Sequence, residues 1–308
     1  MKKDLLSIND MTPDQINALF VLTEKLKKNP FQPVLHHQTL AMIFEKPSLR
    51  TRATFEVGMT QLGGHALYLQ PSDIKLGQRE SVADVARNLE RWVSIVMART
   101  FLHSTITELA ENCSVPVINA LSDIEHPCQA LADFFTVYEH RKNLKGIKMS
   151  FIGDGNNVCH SLMLLAAKTG ASFVVACPEG YEPDEKIVNE TKAIMKQNGG
   201  TLTVTCAVEE AADRADALYT DVWVSMGQES ETSERKSIFQ PYQINSALVK
   251  KAAPNVLVMH CLPAHRGEEI TSEVMDGPHS VVFDQAENRL HIQKAIMISL
   301  LQKQNLVI

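Results

Sequence analysis

A chain of 308 residues, 44% hydrophobic and 21% charged, has material for roughly two globular domains of about 150 residues each and a sizeable core. Its 30 basic and 36 acidic side chains give a formal charge of −6, which argues against a nucleic-acid partner, since that needs a basic face or tail. No run approaches the roughly 18 apolar residues of a membrane span, and Asp4 and Asp10 interrupt the stretch where a signal peptide keeps its apolar core, so a cytoplasmic protein is expected.

Short apolar runs of strand type alternate with longer helical patterns along almost the whole chain, which predicts an α/β fold of two doubly wound domains with mainly parallel sheets. In the first half the runs are 40–44, 66–69, 94–98 and 115–118. The second half offers 149–152, 173–176, 202–205, 217–219, 256–259 and 281–283. Between Tyr138 and Lys148 the chain turns polar and basic, and this marks the boundary between domains 1–141 and 142–308. The last stretch, about 285–302, sets Ile292, Ile296 and Leu300 on one helical face and is expected to pack back on the first domain. Cys113, Cys128, Cys159, Cys177, Cys206 and Cys261 form no C-x-x-C pair, so buried free thiols are expected rather than disulfides or a zinc ribbon.

The first chemical signal follows the run 40–44. Phe55, Met59 and Leu62 recur at helical spacing after it, so Pro47 and Ser48 sit where a helix begins. A helix start has free N–H groups and a partial positive charge, and Ser48, Arg50, Thr51 and Arg52 add hydroxyls and guanidiniums to it. That is the chemistry of an anion cradle; the bland alternative is a capped surface helix with ordinary arginines. Further clusters follow other strand ends, where α/β enzymes keep their ligands. Arg99 ends one run. His126, Pro127, Cys128 and Gln129 open a helix with proline at its first position, and their spacing is a poor match to a zinc pair. Asp221 begins a loop with Trp223, Ser225, Met226 and Gly227 suited to a cationic amine, or simply a capping loop over a packed Trp223. His260 and Cys261 follow the run 256–259, and residues in such places are more often packed than reactive. Gly153 and Gly155 lack the third glycine of a dinucleotide fingerprint. There is neither a G-x-S-x-G elbow nor a G-x-x-x-x-G-K-[ST] loop.

With these pieces in order, the chain resembles the ornithine carbamoyltransferases of the aspartate/ornithine carbamoyltransferase family along nearly its whole length. The resemblance rests on Ser48 to Arg52, Arg99, His126 to Gln129, Gly153 to Asn157, Asp221 to Gly227, His260 to Pro263 and Arg289, all in family order. It implies a first domain that binds carbamoyl phosphate and a second that binds ornithine, with no cofactor and no metal. Ser48, Leu49 through its backbone, Arg50 and Thr51 would hold the phosphate; Arg99, His126 and Gln129 the carbamoyl end; Cys261, Leu262 through its carbonyl and Arg289 would line the same pocket. Asn157, Asp221, Ser225 and Met226 would bind ornithine, with Asp221 facing the α-ammonium. Thr51, Arg99, His126 and Cys261 would serve the chemical step. It also implies a homotrimer with shared sites in arginine biosynthesis or the urea cycle.

Two departures stand out. Leu49 replaces a threonine found in many members, removing a hydroxyl but not the backbone N–H. Lys75 replaces a frequent glutamine at a position that in the family reaches into a neighbouring subunit's site, where a lysine would add positive charge for the phosphate; the alternative is an ordinary solvated lysine. The competing readings are a carbamoyltransferase for putrescine or acetylornithine, a non-catalytic anion-binding paralogue, and a nicotinamide oxidoreductase resting on Gly153 and Gly155 alone.

Overall fold

A computed structural model describes residues 2–74, 76–77, 79–224 and 232–301. The chain divides into two compact units, Met1–Ala132 with Glu287–Ile308, and Asp133–Ala286.

The first unit is built on a parallel four-stranded sheet of order β2-β1-β3-β4, with β1 (Thr39–Phe44), β2 (His65–Leu69), β3 (Ile95–Arg99) and β4 (Val117–Leu121). From Leu40 to Phe44, β1 is buried at every residue, as a strand covered on both faces must be. Helices α1 (Pro13–Lys28), α2 (Leu49–Gln61), α3 (Pro71–Ile74), α4 (Val82–Leu89) and α5 (His103–Glu111) alternate with the strands, and α6 (Pro127–Arg141) begins in this unit. The strand order reverses between β1 and β3, and a crevice for ligands opens at the carboxyl ends of such a pair. There Phe44 lies opposite Arg99. The β3–β4 register shifts between Ala98 and Arg99, an irregularity of the kind that re-aims a side chain.

The second unit holds a parallel five-stranded sheet of order β7-β6-β5-β8-β9, with β5 (Lys148–Ile152), β6 (Ser172–Ala176), β7 (Leu202–Thr205), β8 (Ala217–Thr220) and β9 (Leu257–His260). Its helices are α7 (Asn157–Thr169), α8 (Glu185–Asn198), α9 (Val208–Ala212), α10 (Thr232–Phe239), α11 (Ser246–Val249) and α12 (Ser272–Met275). Here the order reverses between β5 and β8, so the crevice lies where Gly153 follows one strand and Asp221 the other. One apolar cluster, including Ile152, Leu218, Trp223, Phe239 and Val258, fills this unit.

The last helix, α13 (Val282–Leu301), begins in the second unit and from Glu287 onward belongs to the first. Gly58 of α2 allows its approach: a Cβ there would lie 3.2 Å from Lys294 Cγ and 3.4 Å from Leu290 Cδ1. Ile292, Ile296 and Leu300 are buried as their spacing predicts. The expected strand at 281–283 does not form. Val281 donates its N–H to Val258 and accepts from Gln285 N, so the backbone turns into α13 after a single bridge at Ser280. Cys206 is exposed and Cys261 half-buried, contrary to the expectation for all six thiols, whereas the other four are buried.

Candidate active site

In the first unit, Ser48 caps α2. Its extended backbone (φ −156°, ψ 115°) sets Oγ to accept from Thr51 N at 3.3 Å. Ser48 Oγ also donates to Thr51 Oγ1 at 3.1 Å, and Arg289 Nη2 donates to the same oxygen at 3.3 Å. Thr51 Oγ1 thus accepts twice, and its own proton is left to donate. Arg289 Nη1 donates to Gln129 Oε1, so residues from α2, α6 and α13 meet around one buried guanidinium.

His126, just before α6, accepts at its carbonyl from Gln129 N and Ala130 N and is buried. Burial, with Arg289 and Arg99 nearby, holds its imidazole well below the ordinary histidine pKa. A neutral ring can donate or accept toward a polar, uncharged group. Cys128 faces away: its thiol donates to Asn119 O at 3.4 Å, and burial pushes its pKa up to about 12, so it offers no thiolate to a metal. Leu49 is 81% exposed, which leaves only its backbone at the helix start to serve a ligand. Arg52 turns out of the cradle, pairing with Glu56 at 3.3 Å and stacking over Tyr68 at 3.9 Å.

In the second unit the centre is Asp221, at the end of β8 and almost wholly buried. Three donors hold its carboxylate: Asn156 Nδ2 at 2.9 Å, Val222 N at 2.8 Å and Cys261 Sγ at 2.9 Å. Asn156 also caps α7, accepting from Val158 N and Cys159 N, and so ties Asp221 to that helix start. It is the neighbour of the expected Asn157, and an Asn before an apolar helical run is the cap signal that could have found it. The Gly153–Gly155 turn is shaped by packing: a Cβ on Gly155 would lie 2.2 Å from Pro183 N. Asp154 pairs with the buried Arg235, whose Nε donates to Trp223 O at 2.7 Å. This brace ties the Asp154 turn to the loop that follows Asp221.

Cys261 thiol is raised well above its ordinary pKa by burial and by Asp221, so the sulfur is a protonated donor. His260 shapes the turn around it. Leu262 N donates to His260 Nδ1 at 2.8 Å, which puts the ring proton on Nε2, facing Glu269 Oε1 at 2.9 Å. Both ring nitrogens are thereby engaged, leaving none for a metal. Leu262 has the left-handed φ of 60°, a costly conformation for a branched side chain that this bond helps hold. Lys75, Ser225 and Met226 lie outside the described residues.

Two family models match this chain: the carbamoyl-P binding domain of aspartate/ornithine carbamoyltransferase over residues 3–139, and the Asp/Orn binding domain over 145–300. An ornithine carbamoyltransferase of Halalkalibacterium halodurans is 52% identical over 303 residues, covering 97% of this chain and 95% of that protein. An anabolic ornithine carbamoyltransferase of Pyrococcus furiosus is 51% identical over 301 residues, covering 96% and 95%. The solved structure of an ornithine carbamoyltransferase from Pyrococcus furiosus superposes with a TM-score of 0.95 at 49% identity, covering 98% of each chain.

Proposed function

Since the chain belongs to the aspartate/ornithine carbamoyltransferase family, we propose that it transfers the carbamoyl group of carbamoyl phosphate to the δ-amine of L-ornithine, giving L-citrulline and phosphate. The observation that carries the reading is Asp221, a buried carboxylate held by three donors at a sheet's switch point, in a chain about half identical along its length to an ornithine carbamoyltransferase. Residues 1–141 act as the carbamoyl phosphate domain and 142–308 as the ornithine domain, with 285–302 returning to the first. The separate family matches to each part support this division.

Carbamoyl phosphate has close to two negative charges at neutral pH, the second phosphate pKa being near 6. Ser48, Arg50, Thr51 and the backbone N–H of Leu49 take the phosphate. Arg50 and Arg289 offer fork-shaped donors that a lysine lacks. Gln129 and the Leu262 carbonyl bind the carbamoyl amide. Ornithine's α-ammonium meets Asp221, with Asn157, Ser225 and Met226 around it, and Lys75 extends toward a neighbouring subunit's phosphate.

The δ-amine attacks the carbamoyl carbon, an oxyanion forms and phosphate leaves. Thr51, Arg99 and neutral His126 donate to that oxygen. An amine of pKa about 10.4 is neutral in only about one molecule in 2500 at pH 7, so the site must select that form; positive charge nearby and the leaving phosphate as proton acceptor both act in that direction. Cys261 is a hydrogen-bond partner and forms no thioester, in keeping with its raised thiol pKa.

We place the protein in the cytoplasm as a homotrimer acting in arginine biosynthesis, the anabolic relative giving the direction. Among the described residues no helix is long and apolar enough to cross a membrane. The deciding assay offers carbamoyl phosphate with ornithine, putrescine, acetylornithine or aspartate. Citrulline formation with strong preference for ornithine is expected. Turnover with another amine overturns the Asp221 assignment, and binding of carbamoyl phosphate without any turnover identifies a non-catalytic paralogue.

A further inference from the structure

Two cysteines that this chemistry leaves unused stand opposite one another at the end of the second sheet. Strands β6 and β7 run parallel in a register that pairs Phe173 with Leu202 and Ala176 with Thr205. At the first of these pairs Phe173 N donates to Thr201 O at 2.8 Å, and in the same pattern Cys177 N donates to Thr205 O at 3.0 Å. The register thus runs one residue past both strands and sets Cys177 beside Cys206. Residues paired across a sheet point to the same face, and neighbouring strands lie about 5 Å apart, within the range of Cα separations that a disulfide spans.

The ladder ends at this pair, which leaves the chain room to adjust. Ala207 N donates to Thr205 Oγ1 at 3.1 Å, so the backbone curls away from β6 just after Cys206. Cys206 is exposed and Cys177 is buried. Burial pushes the Cys177 thiol up to about 12, so it stays protonated at neutral pH. An oxidant arriving from solvent therefore meets Cys206 first, with a second thiol waiting beside it. We propose that Cys177 and Cys206 are a peroxide-responsive pair that closes to a reversible disulfide.

The Cys206 sulfur attacks one oxygen of hydrogen peroxide, the O–O bond breaks, and the other oxygen leaves as water with the thiol proton. Cys206 is then a sulfenic acid. The Cys177 sulfur attacks the Cys206 sulfur; the S–S bond forms, the S–O bond breaks, and the hydroxide leaves as water with the Cys177 proton. Each sulfur gives up one electron, and both peroxide oxygens are reduced. A dithiol reverses the bond by exchange.

The bond acts on the site through the segment that follows Cys177. Gly155 N donates to Tyr181 O at 2.9 Å, and residues 178–184 lie so close to this turn that a Cβ on Gly155 would strike Pro183. The same turn bears Asn156, a donor to Asp221. Drawing Cys177 toward β7 shifts that support, so oxidation weakens ornithine binding, a consequence that rests on the reading of Asp221 as ornithine's partner.

The test treats the protein with a few equivalents of hydrogen peroxide, blocks free thiols with N-ethylmaleimide in denaturant, and maps tryptic peptides. Cys177 and Cys206 fall in separate peptides, 169–186 and 197–214. A linked pair of these two, lost on treatment with dithiothreitol, is expected. Sulfinic acid at Cys206 with Cys177 still labelled, a link from either to another cysteine, or no reaction at either overturns the proposal. In Cys177→Ala the sulfenic acid has no thiol to resolve it, so dimedone labelling of Cys206 rises several-fold over wild type; equal labelling also overturns it. If that variant does not fold, the wild-type map decides alone. Oxidised wild type should show a KM for ornithine raised about twofold or more at constant KM for carbamoyl phosphate, and Cys206→Ser neither link nor rise. A linked enzyme with unchanged KM overturns the coupling to Asp221. The map needs no substrate, so a failed assay with ornithine would remove the functional reading without being mistaken for failure here.

Discussion

The two units bury charge of opposite sign. Among the described residues of the first, Arg99, Arg289 and Lys294 are interior against the buried carboxylate of Glu125; among those of the second, Asp133, Asp221 and Glu269 are interior against Arg235. The cations of the first include those assigned to an anionic substrate, and the anions of the second include the one assigned to a cationic amine. The donor sets differ too. Arg289 donates to the neutral oxygens of Thr51 and Gln129, so on the proposed assignment a phosphate would meet a guanidinium already held in place. Asp221 is closed by Asn156, Val222 and Cys261, so an ammonium must share or displace donors that already satisfy it. One site is preorganised for charge, and the other must exchange partners when it binds.

The hardest blow to this contrast would be an unimportant Arg99. Arg99→Ala is expected to lower kcat by roughly 100- to 1000-fold, the usual effect of losing one donor to a developing oxyanion; steady-state rates with both substrates saturating check it, and unchanged turnover would remove Arg99 from the chemistry. Lys294 sharpens the contrast from the stability side. Its ammonium donates to Pro30 O at 3.1 Å and Gln61 Oε1 at 2.7 Å, and burial lowers its pKa to about 8. The folded state then gives up the proton before the unfolded chain, whose lysines titrate near 10.4. Below about pH 8 the full burial cost applies, and stability rises between about pH 8 and 10 because the unfolded state binds more protons. The gain is on the order of 1–3 kcal/mol. Denaturant titrations of wild type and Lys294→Met across that range should show this slope in wild type alone. The smallest effect belongs to Asn156→Ala. Losing the α7 cap costs about 1 kcal/mol, and loosening Asp221 raises the KM for ornithine several-fold while that for carbamoyl phosphate holds, as parallel melts and two-substrate kinetics would show.

Much of this was legible because it is local. The strand runs stand out as short apolar stretches, the inner ones such as β1, β3 and β5 buried along nearly their whole length and the edge strands β2 and β7 half-exposed, and Ser48 reads as a cap from its place before Phe55, Met59 and Leu62. The segment 281–283 misled because three apolar residues suit a strand or the first turn of a buried helix equally, and Gln285 N decides the matter by bonding to Val281 O. Arg52 looked equivalent to Arg50, yet helical spacing gives it Glu56 four residues on. What was invisible is long-range. Asn156 meets Asp221 across 65 residues, Tyr219 meets Asp133 across 86, and Arg289 meets Thr51 across 238. No local period records such pairs; only the folded sheets bring them together. His260 was rightly suspected of packing, but its bond to Leu262 N depends on a left-handed backbone that composition does not announce.

Gly58 has a further consequence, for the order of events on the ribosome. The surface of α2 that it leaves open is filled by Leu290, Lys294 and Met297, from α13, which is translated after the whole of the second unit's sheet. The second unit, Asp133–Ala286, is a continuous stretch and can close as soon as it emerges. The first must wait with part of its apolar surface uncovered until α13 has been made. Strands β1 to β4 are thus made before the second unit and finish folding after it, and a release from the ribosome just after Ala286 would free a chain whose second unit is complete and whose first is still open.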